Sequence, residues 1–207
     1  MVMKILLSDA GKRYNREWIF RHLNYEFNTG TAYAITGNNG SGKSTLLQVI
    51  AGAVQYNEGT IDFIIDGKTI ETEQHHQHLS IAAPYLELPE EMTVTEVLTF
   101  HQSFKTFLPS VTVTSIIDEL GLKHAAHKQI RYYSSGMKQR VKLAQAIFSN
   151  VPVVLLDEPT SNLDAEGIAL YHRLITNYCL NRLVMVSSND EQEYSFCKEK
   201  LSVMDYK

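Results

Sequence analysis

Short apolar runs broken by polar turns fill the first thirty residues. This period-two pattern predicts antiparallel strands at Lys4 to Leu7, Trp18 to Arg21 and Leu23 to Phe27. The opening run Met1-Val2-Met3-Lys4-Ile5-Leu6-Leu7 is too short for a secretory signal and reads as an edge strand. After the turn Asn28-Thr29-Gly30, the small and β-branched residues from Thr31 to Thr36 predict a buried strand that runs into a glycine-rich loop. A helix is expected from Lys43 to Ala51, stopped by Gly52. Residues 58–70 form a second β region around Asp66-Gly67, a pair suited to a hairpin turn.

From Thr93 to Phe148 the spacing becomes helical. Thr93-Val94-Thr95-Glu96 has the form of a capping box, followed by Val97, Leu98, Phe100 and Phe104. Ile116, Ile117, Leu120 and Leu122 mark a second helix, and Met137 to Phe148 a third. Val151 to Leu156 and Leu183 to Ser187 are continuous apolar runs, the form taken by central parallel strands buried on both faces. The order predicts an α/β sheet core with an N-terminal antiparallel β region and an inserted α-helical subdomain. The expected division is one domain over 1–207, with a core at about 1–83 and 151–207 and the helical subdomain at about 84–150.

Composition narrows the function classes. With 44% hydrophobic and 20% charged residues the chain is globular rather than disordered, and its net charge of -4 gives no reason to expect a nucleic-acid partner. Cys179 and Cys197 have no metal-like spacing, which suits a reducing, cytoplasmic compartment. No apolar run approaches bilayer length, so a role at a membrane requires another chain to cross it.

Candidate chemistry begins at Gly37-Asn38-Asn39-Gly40-Ser41-Gly42-Lys43-Ser44-Thr45, which has the spacing of a phosphate-binding loop. Glycines let backbone amides wrap a phosphate, and the helix that follows turns its positive end to the same anion. Lys43 is expected to reach the β- and γ-phosphates of ATP, and the Ser44 hydroxyl to bind Mg²⁺. Val153 to Leu156 then delivers Asp157, a second candidate for the metal, and Glu158, a candidate to polarise the attacking water.

Tyr133-Ser134-Ser135-Gly136-Met137-Lys138-Gln139-Arg140 adds a capped helix, with Ser134 or Ser135 as the cap. It resembles the signature motif of ATP-binding cassette proteins, usually Leu-Ser-Gly-Gly-Gln followed by Gln-Arg. Asp157-Glu158-Pro159-Thr160-Ser161-Asn162-Leu163-Asp164 is similar to that family's joined Walker B and D-loop segments. The resemblance covers nearly the whole chain and implies a P-loop NTPase (RecA-like) core. It also implies a head-to-tail dimer with a second nucleotide-binding subunit, a homodimer in the simplest case. Each ATP would then lie between one subunit's phosphate loop and the other's signature, with Ser135 and Gly136 on the γ-phosphate and Asp164 communicating across the interface. A separate transmembrane permease would be driven by the cycle, with this chain peripheral on the cytoplasmic face. In size the chain is similar to the cassettes of haem-export or simple exporter systems. The family's adenine-stacking aromatic maps to Tyr14, in the turn Gly11-Lys12-Arg13-Tyr14, with Trp18 as the alternative.

Two positions depart from the family. Its Q-loop glutamine falls on Pro84, whose side chain cannot ligate a metal or donate a hydrogen bond, leaving Glu87 or a water to substitute. Its switch histidine falls on Asn189, which can hydrogen-bond a phosphate but cannot take a proton near neutral pH. Slower hydrolysis than in a histidine-bearing relative is expected. His75, His76 and His78 sit in the polar stretch Glu71 to His78, which reads as a solvated hairpin rather than a metal site.

Overall fold

The chain opens on a hairpin far longer than its separate apolar runs suggest. In the computed structural model, which describes residues 2–207, β1 spans Met3–Tyr14 and β2 spans Glu17–Asn28. Register shifts interrupt their pairing between Leu7 and Arg13, and Asp9 and His22 both take positive φ, with the Asp9 carboxylate 2.7 Å from His22 Nδ1. Such bulges break the alternation without ending the strand. The turn is therefore at Asn15-Arg16, and Gly11 to Tyr14, expected as a turn, is strand.

β3 (Ala32–Thr36) leads through the glycine-rich loop into α1 (Lys43–Ile50), and Gly52 beyond its end adopts φ 74°. β4 (Glu58–Ile65) and β5 (Lys68–Ile70) form the expected hairpin, closed by Asp66 and Gly67, both at positive φ. The first sheet has the order β2-β1-β4-β5. The opening strand is thus not an edge: β1 pairs on both sides, because Met3, Ile5 and Leu7 must all be buried. Met1, the first residue of that predicted strand, lies outside the described residues.

Residues Thr72–His78 form a 3₁₀ stretch rather than a solvated hairpin. His75 is buried there, stacked on Phe63 at 4.0 Å and bonded through Nε2 to Ile70 O at 3.1 Å, and burial lowers its pKa. It is a packing residue.

β6 (Leu79–Ala82) begins the second sheet. α2 (Val94–Phe104), with the capping box between Thr93 and Glu96 in place, α3 (Val113–Glu119) and α4 (Ser135–Phe148) follow. β7 (Val153–Asp157), α5 (Ala165–Tyr178), β8 (Leu183–Ser187), the short α6 (Glu191–Tyr194) and β9 (Glu199–Ser202) complete the chain. The second sheet is wholly parallel, in the order β6-β7-β8-β3-β9. Its strands read as unbroken apolar runs because alternate residues serve two cores. Val154, Leu156, Val184 and Val186 face the helices, while Val153, Leu155, Leu183 and Met185 face α1 and the antiparallel sheet. This is the α/β architecture expected, with the antiparallel region on one side of the parallel sheet. Among the described residues no helix is long and apolar enough to cross a membrane.

One buried cation closes this packing. Arg182 is 7% exposed and donates to the carbonyls of Ile147 at 2.5 Å and of Ser149 and Val151 at 2.8 Å. It thereby bonds carbonyls at and just beyond the end of α4, where the helix dipole favours positive charge.

Candidate functional site

The glycine-rich loop leaves the C-terminal end of β3, the usual place for a ligand in an open parallel sheet. Gly37, Gly40 and Gly42 all take positive φ. At Gly42 nothing larger fits, since a Cβ would lie 2.2 Å from Ile19 Cγ2. Ile19 of β2 therefore fixes the loop from below, a contact invisible in the sequence. Gly42 caps α1 without a side-chain acceptor, and no acidic residue occupies the first turn, so the helix start presents uncompensated amides. The Lys43 ammonium bends back over the loop, donating to Gly37 O at 2.9 Å and Asn38 O at 3.2 Å.

Ser44 opens the same helix and faces the end of β7. There Asp157 is 1% exposed and its Oδ1 has no hydrogen-bond partner. Burial raises its pKa. The nearby Ser187 and Ser44 hydroxyls work against the rise, the Glu158 charge adds to it, and Lys43 also opposes it. A buried, unpartnered carboxylate beside a serine hydroxyl is a donor set that fits a hard divalent cation. Glu158, one residue on, is exposed and held at φ 42°, with its amide donating to Ser187 O at 2.9 Å. For a non-glycine residue that left-handed backbone costs about 1–3 kcal/mol, and such strain clusters at functional sites. Asn189 follows β8 and donates from Nδ2 to Asn39 Oδ1 at 2.6 Å. Residues 37–45, Asp157, Glu158 and Asn189 thus lie together at one end of the parallel sheet.

The aromatic candidates stay outside this cluster. Trp18 is packed against Gly11, with Arg13 and Arg21 over its ring at 5.4 and 4.5 Å. Tyr14 ends β1, 47% exposed under the Lys12 ammonium, which leaves it the freer of the two to meet a base.

Residues 134–136 do not join the phosphate loop of the same chain. They line a separate cleft of about 460 Å³ with Arg140, Asn162 and Asp164, and no residue from 37–45 is among its walls. Ser134, not Ser135, caps α4, accepting from Met137 N at 3.2 Å. A Cβ on Gly136 would lie 2.9 Å from Asn162 O. Asp164 caps α5, accepting from Gly167 N at 2.8 Å. That bond, helped by Arg140 at 3.4 Å, lowers its pKa despite partial desolvation. Gln139, which sequence reasoning passed over, is buried and donates to Pro159 O at 2.8 Å.

At the departed Q-loop position, the Pro84 carbonyl accepts from Lys142 Nζ at 2.8 Å while Glu87 faces an outer groove. Tyr85, the next residue, is 45% exposed with its phenol near the Gln48 carboxamide, and partial burial raises its pKa. Gln48 stands four residues after Ser44 on α1, on the same helix face. Glu87, named with a water as a possible substitute, thus faces away from Asp157 along the outer groove.

Residues 20–161 match the family model described as ABC transporter. The chain belongs to the ABC transporter family. It is the ATP-binding, ATP-hydrolysing subunit of such a transporter, a class that works with a transmembrane permease. Among curated ABC proteins it is 34% identical, over 74% of its length and 69% of the relative's, to the "Cytochrome c biogenesis ATP-binding export protein CcmA" of Xylella fastidiosa. It is 28% identical, over 90% of its length and 86% of the relative's, to the "Uncharacterized ABC transporter ATP-binding protein YybJ" of Bacillus subtilis. Its fold is that of a solved putative ABC transporter ATP-binding protein from Pyrococcus furiosus, with TM-score 0.81 and 22% identity over 98% of each chain. A bacterial Atm1-family ABC exporter with ATP bound gives TM-score 0.80 and 19% identity over 98% of this chain and 37% of that one.

Proposed function

We propose that this ABC subunit binds Mg-ATP at residues 37–45, pairs head-to-tail with a second copy, and acts from the cytoplasmic face on a separate permease. The observation that carries the reading is the division of the site. Phosphate loop, Asp157 and Glu158 converge at one end of the parallel sheet, while Ser134 to Gly136 line a cleft of their own. A second subunit would bring its signature to this loop. The expected core at about 1–83 and 151–207, with a helical subdomain at about 84–150, is the unit we propose for that dimer. The groove of about 680 Å³ along Pro84, Leu86 and Leu88 is where we expect a permease segment to dock. Export is the direction that the relatives named as export proteins support.

On ATP entry Lys43 would leave its two carbonyls for the β- and γ-phosphates, while the amides from Gly37 to Thr45 wrap the chain of oxygens. Tyr14 would stack on adenine, and Ser44 with Asp157 would hold Mg²⁺. That ion, when bound, screens the charge on the phosphate oxygens. Glu158 would accept a proton from water attacking the γ-phosphorus, and the Asn189 amide would donate to a γ-phosphate oxygen. Ser135, Gly136 and Asp164 of the second copy would complete the site. The test is steady-state ATP hydrolysis by the purified protein and its Glu158→Gln variant, with ATP-dependent dimerisation followed by sedimentation. Turnover should fall at least about a hundredfold in the variant while the ATP-bound dimer accumulates. Full activity in Glu158→Gln removes the assignment of the base, and a monomer at saturating ATP removes the shared site.

A further inference from the structure

Glu193 is a buried carboxylate, 4% exposed, that no cation neutralises among its hydrogen bonds. It lies in α6, four residues after Asn189, and its side chain crosses to the segment that follows Glu158. Its Oε1 accepts from the Thr160 amide at 2.7 Å and from the Thr160 hydroxyl at 2.5 Å. Its own carbonyl accepts from the buried Tyr171 hydroxyl at 2.7 Å, which anchors α6 to α5. On the other side of the same short helix, Asp190 accepts from Gln192 N at 2.9 Å. The Asp190 amide donates to Ser188 Oγ at 2.9 Å, and Ser188 N donates to Ile35 O at 3.2 Å beside the phosphate loop.

Burying an unneutralised carboxylate is costly unless its hydrogen bonds are good, so a surface-to-core tie of this kind needs a purpose beyond packing. Here it spans two segments that enter the site separately. Thr160 is two residues from Glu158, whose backbone is already strained, and the same turn is held by Ser161 N to Glu158 O at 3.1 Å and by Leu163 N to Thr160 O at 2.9 Å. Asn189 reaches Asn39 of the phosphate loop. We propose that Glu193 is a positioning residue for hydrolysis: by clamping Thr160 it fixes the loop that carries Glu158 to the segment that carries Asn189, so that the two keep one geometry about the γ-phosphate. This rests on the proposed roles of Glu158 and Asn189.

The tie acts on turnover and not on nucleotide affinity, because phosphate binding belongs to residues 37–45, which Glu193 does not touch. In the full-length protein, ATP turnover, KM, affinity for a non-hydrolysable ATP analogue and thermal midpoint are measured for wild type, Glu193→Gln, Glu193→Ala, Thr160→Val and the double variant Glu193→Ala with Thr160→Val. Glu193→Ala and Thr160→Val should each lower kcat roughly tenfold, with analogue affinity within about twofold of wild type, as expected for a group that only orients others. Glu193→Gln keeps the oxygen that Thr160 bonds and should recover most of the turnover. The double variant should be no slower than the slower single, since Glu193→Ala already removes the hydroxyl bond that Thr160→Val deletes. If Glu193→Ala does not fold, Thr160→Val, which deletes a single hydroxyl, carries the test. Equal losses of kcat, analogue affinity and thermal midpoint, or effects that multiply in the double variant, overturn the proposal. Glu158→Gln run beside them separates the two readings: full turnover there removes the base, whereas the Thr160–Glu193 cycle reports the clamp whichever group takes the proton.

Discussion

Replacing Gly136 with alanine tests whether the signature helix and the segment after Glu158 are packed as one body. In an unobstructed helix this exchange stabilises by about 0.5–1 kcal/mol, because alanine has less backbone entropy to lose. Here the new Cβ would sit 2.9 Å from the carbonyl oxygen of Asn162. That is roughly 0.5 Å inside an ordinary carbon–oxygen contact of about 3.4 Å. The opposing atom is backbone and cannot rotate aside. Asn162 holds a left-handed φ of 65°, and the next amide, Leu163 N, is bonded to Thr160 O at 2.9 Å. Forcing one carbon into such a place costs about 1–3 kcal/mol.

The clash therefore cancels or exceeds the propensity gain, and the net change is a loss of about 0–2 kcal/mol. In a chain of this length that lowers the thermal midpoint by up to about 8 °C. Turnover should suffer more than stability. Relief requires α4 to move away from Asn162, carrying Ser134 and Ser135 with it, while Asp164 stays bound to Gly167 N. A loss of at least about tenfold in kcat is expected from a displacement of that size. Thermal or urea unfolding and steady-state ATP hydrolysis on the same preparations decide the matter. A variant more stable than wild type by the full propensity gain, with undiminished turnover, refutes the close contact.

Three further outcomes follow from other groups. Arg182→Met leaves the buried carbonyls of Ile147 and Val151 without donors, while Ser149 O keeps the Val151 amide; at about 1–3 kcal/mol each, offset by no longer burying a cation, urea unfolding should register a loss of about 2–4 kcal/mol. Asp157→Asn should raise the thermal midpoint of the nucleotide-free protein near pH 7. The folded pKa of Asp157 stands above its ordinary 3.8, so its contribution to stability is present below 3.8 and lost as pH rises through the folded value, and the gap from the variant should close on acidification. The same variant should lose Mg²⁺-dependent nucleotide binding, followed by equilibrium titration with and without Mg²⁺. Asn189→His should speed hydrolysis several-fold at neutral pH and add an inflection in kcat near pH ~6.5, the ordinary range of a histidine; a slower variant with a flat profile would place position 189 away from the γ-phosphate.

Elements with one dominant period were legible in the sequence. The capped start of α2, the Asp66-Gly67 hairpin and the unbroken strands β7 and β8 all stand where the pattern put them, because burial on one face or on two writes itself directly into residue type. The N-terminal hairpin did not, since its bulges at Leu7 to Arg13 and the positive φ of Asp9 and His22 scramble the alternation that would mark two long strands. The phosphate loop and the Asp157-Glu158 pair were visible because they are contiguous. Ile19 under Gly42, Gln139 on Pro159, Tyr85 beside Gln48 and Glu193 on Thr160 were not, because each acts across a chain separation that no local spacing encodes. The polar Glu71 to His78 stretch misled for the opposite reason: histidine counts as polar in a pattern, yet the flat ring of His75 stacks on Phe63 and satisfies its nitrogen on one carbonyl.

The contacts of the site also say which step of the cycle is prepared in advance. Lys43 is held over its loop by two carbonyls that belong to the loop itself, so an arriving phosphate exchanges those bonds for stronger ones without moving the backbone. Asp157 is poised with an oxygen that nothing in the chain uses. Asn189 differs in part, because one hydrogen of its amide is spent on Asn39 at 2.6 Å and only the other is left to donate to a phosphate. Glu158 differs too, standing exposed on a strained backbone whose geometry depends on the turn at Thr160. Binding therefore draws on groups that the phosphate loop itself holds, whereas hydrolysis depends on two side chains whose placement is set by neighbouring segments. At the two departed positions the chain offers no titrating side chain: position 189 has only an amide, and position 84 only a carbonyl that Lys142 has taken. The control of turnover in this chain consequently falls on packing and neutral hydrogen bonds, and its rate should depend little on pH across the range in which a histidine would titrate.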